Sequence, residues 1–178
     1  MNPNAWLYWY WGKEDRVESD IPRLADMVKG KGISSILDVG CGTGRHTIYM
    51  AKQGFRVSAL DQSEAAINRA RTLLAVKGVV AKLFVWDMVR IPYPFKDLVF
   101  DAVIAVKVIH RTNMGTIKTI VGEMLRVTSE DGYLYVQSPT YEKAMRQKVE
   151  GAMSEEIEKG AFLPLEGEER GILHRHRH

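Results

Sequence analysis

The chain has 178 residues, of which 46% are hydrophobic and 26% are charged, enough for one globular domain with a single core. The formal net charge is +3, and the tail 174–178 supplies two of the positive charges, so the composition gives little support to a nucleic-acid partner. The single cysteine, Cys41, excludes an intrachain disulfide, and no run approaches the roughly 20 apolar residues of a membrane span. We therefore expect a cytoplasmic protein without a membrane partner.

The amino-terminal residues carry an unusual density of aromatic side chains. Five aromatics fall within residues 5–11, ahead of Gly12. Such a cluster can anchor a core, form an interface patch, or close as a flap over a ligand. Ser19 and Pro22 then predict the start of a helix, as a capping residue and a first-turn proline, and Gly30 predicts its end.

Residues 36–61 read as a buried strand, a glycine-rich turn, a helix and a second strand. Asp38 stands two residues before the turn, in which Gly40, Gly42 and Gly44 alternate with other residues. Because glycine has no side chain, such a turn brings the backbone close to a ligand.

The glycine spacing bears on the ligand. A dinucleotide fingerprint requires G-x-G-x-x-G, but counting from Gly40 places Arg45 at the third glycine, and counting from Gly42 places Thr47 there. The acid that ends the second strand, Asp61, can accept two hydrogen bonds from ribose hydroxyls. The pattern favours a cofactor that contains a nucleoside but no pyrophosphate.

The later elements continue the alternation of strands and helices. A helix after Asp61 ends near Gly78, and a third strand over 81–87 ends at Asp87. Two prolines predict a loop over 91–95, and the apolar run 100–110 predicts a central parallel strand. An amphipathic helix, a turn over 129–132 and a strand over 133–137 follow; the predicted buried face of that helix comprises Ile117, Ile120, Val121, Met124 and Leu125.

The residues from Ile36 to Gly44 resemble the glycine-rich first motif of the class I S-adenosylmethionine-dependent methyltransferases, and Asp61 matches the ribose-binding acid of that family. The resemblance spans roughly residues 16–140 and implies a three-layer, Rossmann-like α/β fold with a mostly parallel sheet in the order 3-2-1-4-5. It also implies S-adenosylmethionine as cofactor. The expected cofactor-binding residues are Asp38, Gly40, Cys41, Gly42, Gly44, Arg45, Asp61, Gln62, Asp87, Met88 and Lys107.

The resemblance implies roles with open alternatives. Asp87 would accept from the adenine amino group, with Met88 against the adenine face, or would only cap a turn. Arg45 or His46 would contact the methionine carboxylate, or would face solvent. His110, near the end of the fourth strand, would be the general base, or would be structural. We interpret Cys41 as a small space-filling residue and not as a nucleophile.

The same family often covers its active site with the segment that precedes the first helix. By this resemblance, residues 1–17 form an aromatic lid, with Tyr8 and Tyr10 as candidates to reach the substrate, although plain packing would also explain the cluster.

The sequence departs from the family after Pro139. Residues 141–159 predict a charged helix, followed by a loop around Pro164 and a basic tail, so the usual antiparallel strands six and seven are expected to be lacking. Strand five would then be an exposed edge, which favours a homodimer. The tail histidines alternate, but we expect no metal site there.

We therefore predict one methyltransferase-like domain over 1–178 that methylates a small molecule. The alternative is a shortened protein or subunit that binds S-adenosylmethionine with weak catalysis and associates through its open sheet edge. An oxidoreductase is disfavoured by the glycine count.

Overall fold

The computed structural model describes residues 16–138, 154–158, 161–164 and 174–175. The predicted lid over 1–17 therefore lies outside the described residues, except for Arg16 and Val17, and so do Tyr8 and Tyr10.

A five-stranded sheet forms the centre of the domain. Its neighbouring strands are all parallel and stand in the order β3-β2-β1-β4-β5, which confirms the predicted Rossmann-like topology. The strands are β1 (Ser35–Val39), β2 (Arg56–Asp61), β3 (Lys82–Val85), β4 (Phe100–Val106) and β5 (Thr128–Gln137).

Helices cover both faces of this sheet. They are α1 (Asp20–Gly30), α2 (Arg45–Lys52), α3 (Glu64–Val76) and α4 (Met114–Val127), with a 3-10 helix at Ile109–Arg111. Successive strand residues point to opposite faces. Leu37 and Val103 accordingly share a buried cluster with Ile120 of α4, whereas Ile36 shares another with Ile21 of α1. The two clusters make the fold three-layered.

The helix predictions are largely confirmed. The buried residues of α1 are Ile21, Leu24, Ala25 and Val28, as its spacing indicates. Ser19 precedes α1, but its side chain makes no capping hydrogen bond, so that part of the prediction is wrong. The prediction that Leu125 lies on the buried face of α4 is also wrong, because Leu125 is 54% exposed while Glu123 and Val127 of the same helix are buried.

The apolar run 100–110 does not form one strand. β4 ends at Val106, Lys107 has a positive φ of 57°, and residues 109–111 form the 3-10 helix. A residue in the left-handed conformation interrupts the extended backbone of a strand. The apolar run is therefore longer than the strand that it contains.

The predicted turn over 129–132 is incorporated in β5, which is longer than expected. Phe100 pairs with Thr128 and Ala102 pairs with Tyr133, so the register shifts between these pairs. A Cβ at Gly132 would lie 2.6 Å from Thr128 Cγ2, which explains the glycine. The extra residues bulge from the ladder instead of forming a separate turn.

The prediction of a helix over 141–159 is wrong for 154–158; residues 141–153 lie outside the described residues. Strands β6 (Ser154–Glu158), β7 (Ala161–Pro164) and β8 (His174–Arg175) form a second, antiparallel sheet. A strand pair is therefore present, although it does not extend the parallel sheet beyond β5. The backbone of β8 lies next to the 3-10 helix. Within the described part of the chain, no helix combines the length and apolar character that crossing a membrane requires.

A buried carboxylate anchors the loop between β3 and β4. Glu123 of α4 accepts a hydrogen bond from the Tyr93 backbone N–H at 2.5 Å and from Arg126 Nη2 at 2.6 Å. Arg126 also donates to the Phe95 carbonyl oxygen at 3.1 Å. The Tyr93 hydroxyl in turn donates to the Met88 carbonyl oxygen at 3.1 Å. The hydrogen-bonded network therefore reaches the segment that follows β3.

We expect Glu123→Ala to lower the free energy of unfolding by about 2 kcal/mol, because it leaves the buried Tyr93 backbone N–H without its acceptor and removes one of the two carboxylates that the half-buried Arg126 guanidinium contacts. Urea unfolding measures this change. Lys118→Ala, on the exposed face of the same helix, is the control and should change stability by less than about 0.5 kcal/mol. Equal stability of the two variants would show that Glu123 does not anchor the loop.

Candidate functional site

The candidate site lies at the carboxyl ends of the strands, where β1 and β4 are neighbours and the connections leave in opposite directions. Ligands of open α/β sheets bind at such a switch point. Here the glycine turn follows β1, with φ of 70° at Gly40 and 85° at Gly44. A Cβ at Gly40 would lie 2.4 Å from Val108 Cγ2, so glycine is required for the turn to pack against the chain that leaves β4.

Asp61 fixes the glycine turn from the neighbouring strand. Its Oδ2 accepts from the Gly42 backbone N–H at 2.9 Å, and its Oδ1 accepts from the Ser63 N–H at 2.9 Å. The side chain is buried, and Ser63 caps α3 by accepting from the Ala66 N–H at 3.2 Å. One carboxylate therefore joins the end of β2, the turn and the start of α3.

Asp38 is a buried carboxylate beneath the turn. Thr47 Oγ1 of α2 donates to its Oδ2 at 2.6 Å. Burial raises the pKa of Asp38 to about 6, and the nearby Asp61 charge adds to the increase, while the Thr47 hydrogen bond opposes it. At neutral pH the site thus holds a charge that the fold bears at a cost.

Asp87 and Met88 follow β3 at the same edge of the sheet. Asp61 of β2 pairs in parallel register with Val85, so the two strand ends are adjacent. Asp87 Oδ1 accepts from the Val89 backbone N–H at 3.0 Å, which is the turn-capping contact. A carboxylate has further acceptor capacity, so this contact leaves a binding role open. Gln62 is exposed at the same edge.

Arg45 and Lys107 meet at a third acid, Glu18. Glu18 Oε1 lies 2.8 Å from Lys107 Nζ and 3.2 Å from Arg45 Nη2. Arg45 Nη1 also donates to the Arg16 carbonyl oxygen at 3.0 Å, so its guanidinium does not simply face solvent. Glu18 is not predictable as a site residue from the sequence, because only the fold brings this segment to the turn.

His46, the residue after Arg45, is also buried at this contact. The Glu18 backbone N–H donates to His46 Nε2 at 3.5 Å. Burial lowers the pKa of His46 to about 3, and the positive charge of Arg45 contributes, so this imidazole is neutral at physiological pH.

His110 lies on the 3-10 helix and is buried, next to a chain segment that leaves β4 with a left-handed residue. Cys41 is buried in the glycine turn, and burial raises the pKa of its thiol well above the ordinary value. A thiol with a raised pKa is a poor nucleophile, which agrees with the space-filling interpretation. The described residues contain no group of three or more His, Cys, Asp or Glu side chains arranged to hold a metal ion.

A family model described as a methyltransferase domain matches residues 36–132, more than half of the chain. The chain belongs to this methyltransferase family. The match runs from the first residues of β1 into the irregular part of β5, and it contains the glycine turn, Asp61 and Asp87. The predicted resemblance to class I methyltransferases is thereby confirmed.

Individual relatives of this chain are also named as methyltransferases. It is 26% identical over 174 residues to 24-methylenesterol C-methyltransferase 2 of Oryza sativa subsp. japonica, covering 88% of this chain and 47% of the relative. It is 36% identical over 62 residues to a tRNA (uracil(54)-C(5))-methyltransferase of Pyrococcus abyssi, covering 35% of this chain and 15% of that protein.

A solved structure from Methanosarcina mazei, described as a SAM-dependent methyltransferase, superposes with a TM-score of 0.68 and 24% identity, and the likeness covers 81% of this chain and 73% of that one. At this identity the likeness establishes the shared fold. The chain described here spans about half, or less, of the length of the curated relatives that it matches.

The raised pKa of Asp38 predicts that removing its charge stabilises the fold by an amount that depends on pH. Between pH 3.8, the ordinary value, and about pH 6, the folded state holds more protons at Asp38 than the unfolded state, so stability falls as pH rises and the cost is complete above pH 6. We expect Asp38→Asn to stabilise the fold by about 1–3 kcal/mol at pH 7.5 and by about 1 kcal/mol or less at pH 4.5 in urea unfolding.

Asp101→Asn is the matched control, because Asp101 lies at the opposite end of the sheet and accepts from the Ser34 and Ser35 backbone N–H groups. Burial raises the pKa of Asp101, but these hydrogen bonds outweigh it and hold the pKa below its ordinary value. That variant should therefore lose stability at pH 7.5. A loss in Asp38→Asn as well would contradict the assigned cost.

Proposed function

We propose that this chain transfers a methyl group from S-adenosylmethionine to a small-molecule acceptor. The observation that carries the proposal is the glycine turn held by Asp61 at the carboxyl ends of β1 and β2. Membership of the methyltransferase family and the fold shared with proteins described as S-adenosylmethionine-dependent support this cofactor.

The residues present fit such a cofactor by their chemistry. Asp61 supplies a carboxylate, fixed by the Gly42 and Ser63 backbone N–H groups, of the kind that accepts hydrogen bonds from vicinal ribose hydroxyls. Asp87 and Met88 offer an acceptor and an apolar side chain at the next strand end for the adenine. The full predicted set also includes Asp38, Gly40, Cys41, Gly42, Gly44, Arg45, Gln62 and Lys107.

The cofactor, when bound, supplies a methyl group already activated on a sulfonium. The work left to the chain is to hold the nucleophile of the acceptor in line and to exclude water. His110 as general base stays a prediction. Its burial on the 3-10 helix is compatible with a purely structural histidine, so we assign the proton no required route through it.

The acceptor class is the less constrained part of the proposal. The rice relative is named for a sterol substrate, which is a small molecule, whereas the Pyrococcus abyssi relative is named for tRNA. The first similarity extends over 88% of this chain and the second over 35%. We therefore favour a small molecule, and methylation assays with total tRNA and with small-molecule extracts separate the two classes.

We expect Asp61→Asn to weaken S-adenosylmethionine binding about 10- to 100-fold, because a hydrogen bond to a charged group is worth about 1.5–3 kcal/mol. Isothermal titration calorimetry of the full chain measures this change. Wild-type protein should bind S-adenosylmethionine and not NADH.

Asp26→Asn is the control for Asp61→Asn, because it makes the same substitution at an exposed position on α1, outside the predicted cofactor-binding set. It should cost less than about fivefold in affinity. A thermal melt checks that Asp61→Asn is folded, since Asp61 also holds the turn. A folded Asp61→Asn variant with wild-type affinity would contradict the site assignment.

A second candidate function follows from the sheet edge. Among the described strands, β5 pairs only with β4, and Val136 on β5 is 38% exposed. An unpaired edge strand can pair with another chain. The alternative is therefore a cofactor-binding subunit with weak turnover that associates through β5.

The edge hypothesis predicts a homodimer that Val136→Lys disrupts, because a lysine on an edge strand opposes strand pairing. Analytical ultracentrifugation over a concentration series measures the association. Val76→Lys, on a helix residue that is 74% exposed, is the control and should leave any dimer intact. A wild-type protein that stays monomeric at about 100 times the assay concentration would remove the edge hypothesis.

A further inference from the structure

Glu18, in the segment before α1, contacts cations on both sides of the switch point between β1 and β4. Its carboxylate is 2.8 Å from Lys107 Nζ, which follows β4, and 3.2 Å from Arg45 Nη2, which begins α2. The Glu18 side chain is 19% exposed, and its partners Arg45 and Lys107 are 12% and 28% exposed. The contact is therefore a half-buried ion-pair network and not an isolated surface pair.

The two cations belong to the site by their position. Arg45 follows Gly44 directly, so it stands where the glycine turn becomes a helix. Lys107 follows β4, and its neighbour Val108 is the residue that packs against Gly40. Together they flank the switch point at which a ligand enters.

The backbone of Lys107 is specialised for this contact. Its φ is 57°, in the left-handed region, and its N–H donates to the Gln137 carbonyl oxygen at 2.8 Å. A lysine in this region carries a conformational cost, and such costs concentrate at functional sites. In this backbone conformation, the Lys107 ammonium group lies against the Glu18 carboxylate.

Two cations directed at one carboxylate form an anion site that the chain fills with its own side chain. Burial raises the pKa of Glu18, but the hydrogen bond and charge of Lys107 and the charge of Arg45 outweigh it, so the pKa lies below its ordinary value and the side chain is ionised at neutral pH. A second carboxylate at the same cations would be repelled by Glu18 until Glu18 left.

We propose that Glu18 competes internally with the carboxylate of the cofactor's amino-acid end for Lys107 and Arg45. This inference rests on the proposed function. Binding of a ligand with that carboxylate displaces Glu18 and releases residues 16–18 from the mouth of the glycine turn, whereas a ligand with the same nucleoside but no carboxylate leaves the contact in place. Glu18 thereby sets the affinity for one end of the cofactor only.

The test compares two ligands that differ in that end. S-Adenosylhomocysteine carries the amino-acid group, and 5′-methylthioadenosine lacks it. By calorimetry on the full chain, Glu18→Gln should bind S-adenosylhomocysteine about three- to tenfold more tightly than wild type, the range expected from releasing two partly exposed ion pairs. Its affinity for 5′-methylthioadenosine should be unchanged.

Glu130→Gln is the matched control, because it removes the same charge from an exposed position on β5 and should change neither affinity. Lys107→Met should weaken S-adenosylhomocysteine binding, and the double variant Glu18→Gln/Lys107→Met should lose the gain of the single one. In wild-type protein, hydrogen exchange at the Glu18 amide should accelerate with S-adenosylhomocysteine and not with 5′-methylthioadenosine. This measurement does not depend on whether a variant folds.

The outcomes separate this inference from the proposed function. If Glu18→Gln binds S-adenosylhomocysteine no more tightly than wild type, or gains equally for both ligands, the competition is refuted and the cofactor assignment stands. If neither wild type nor variant binds either ligand, the proposed function fails, and the inference fails with it.

Discussion

The Asp61 carboxylate is the constraint on which the candidate site depends. It lies at the end of β2 and accepts backbone hydrogen bonds from Gly42 and from Ser63, so one side chain fixes a strand end, the glycine turn and the start of α3. The Trp86 backbone N–H also donates to the Asp61 carbonyl oxygen at 2.9 Å, which extends the same fixed point toward Asp87. One residue's backbone and side chain thus hold both strand ends at which we propose that the ribose and the adenine bind.

A second constraint connects this turn to the other side of the crevice. Gly40 has no room for a side chain because Val108 fills that space, and Val108 is there because Lys107 takes a left-handed conformation. The early end of β4 is therefore part of the site's construction. A strand that continued to residue 110 would carry the chain away from the turn and would leave Lys107 without its contact to Glu18.

Sequence patterns predicted the features that depend on local periodicity. The glycine turn, the acid Asp61 at the end of the second strand and the buried face of α1 follow from residue spacing, because side-chain direction repeats regularly along a helix or a strand. The strand order was implied by the resemblance to class I methyltransferases and not by spacing. The patterns failed where distant contacts decide. The bulge in β5 depends on Asp101 and Thr128 around Gly132, and Glu18 joins the site only after α1 has packed on the sheet. Strand β6 lies where a charged helix was expected, since charge density alone does not fix secondary structure.

Several features of the candidate site destabilise the fold, and such features are typical of functional sites. Asp38 is buried with a raised pKa, Lys107 occupies a left-handed conformation, and Glu18 compensates two cations that would otherwise repel each other. Protein folds tolerate such features where a ligand uses them. By contrast, the Glu123 and Arg126 pair has its hydrogen bonds made within the chain and serves the loop it anchors. The first cluster compensates strained or buried groups at the switch point, and the second holds a loop. This difference supports our proposal that the ligand binds at the switch point.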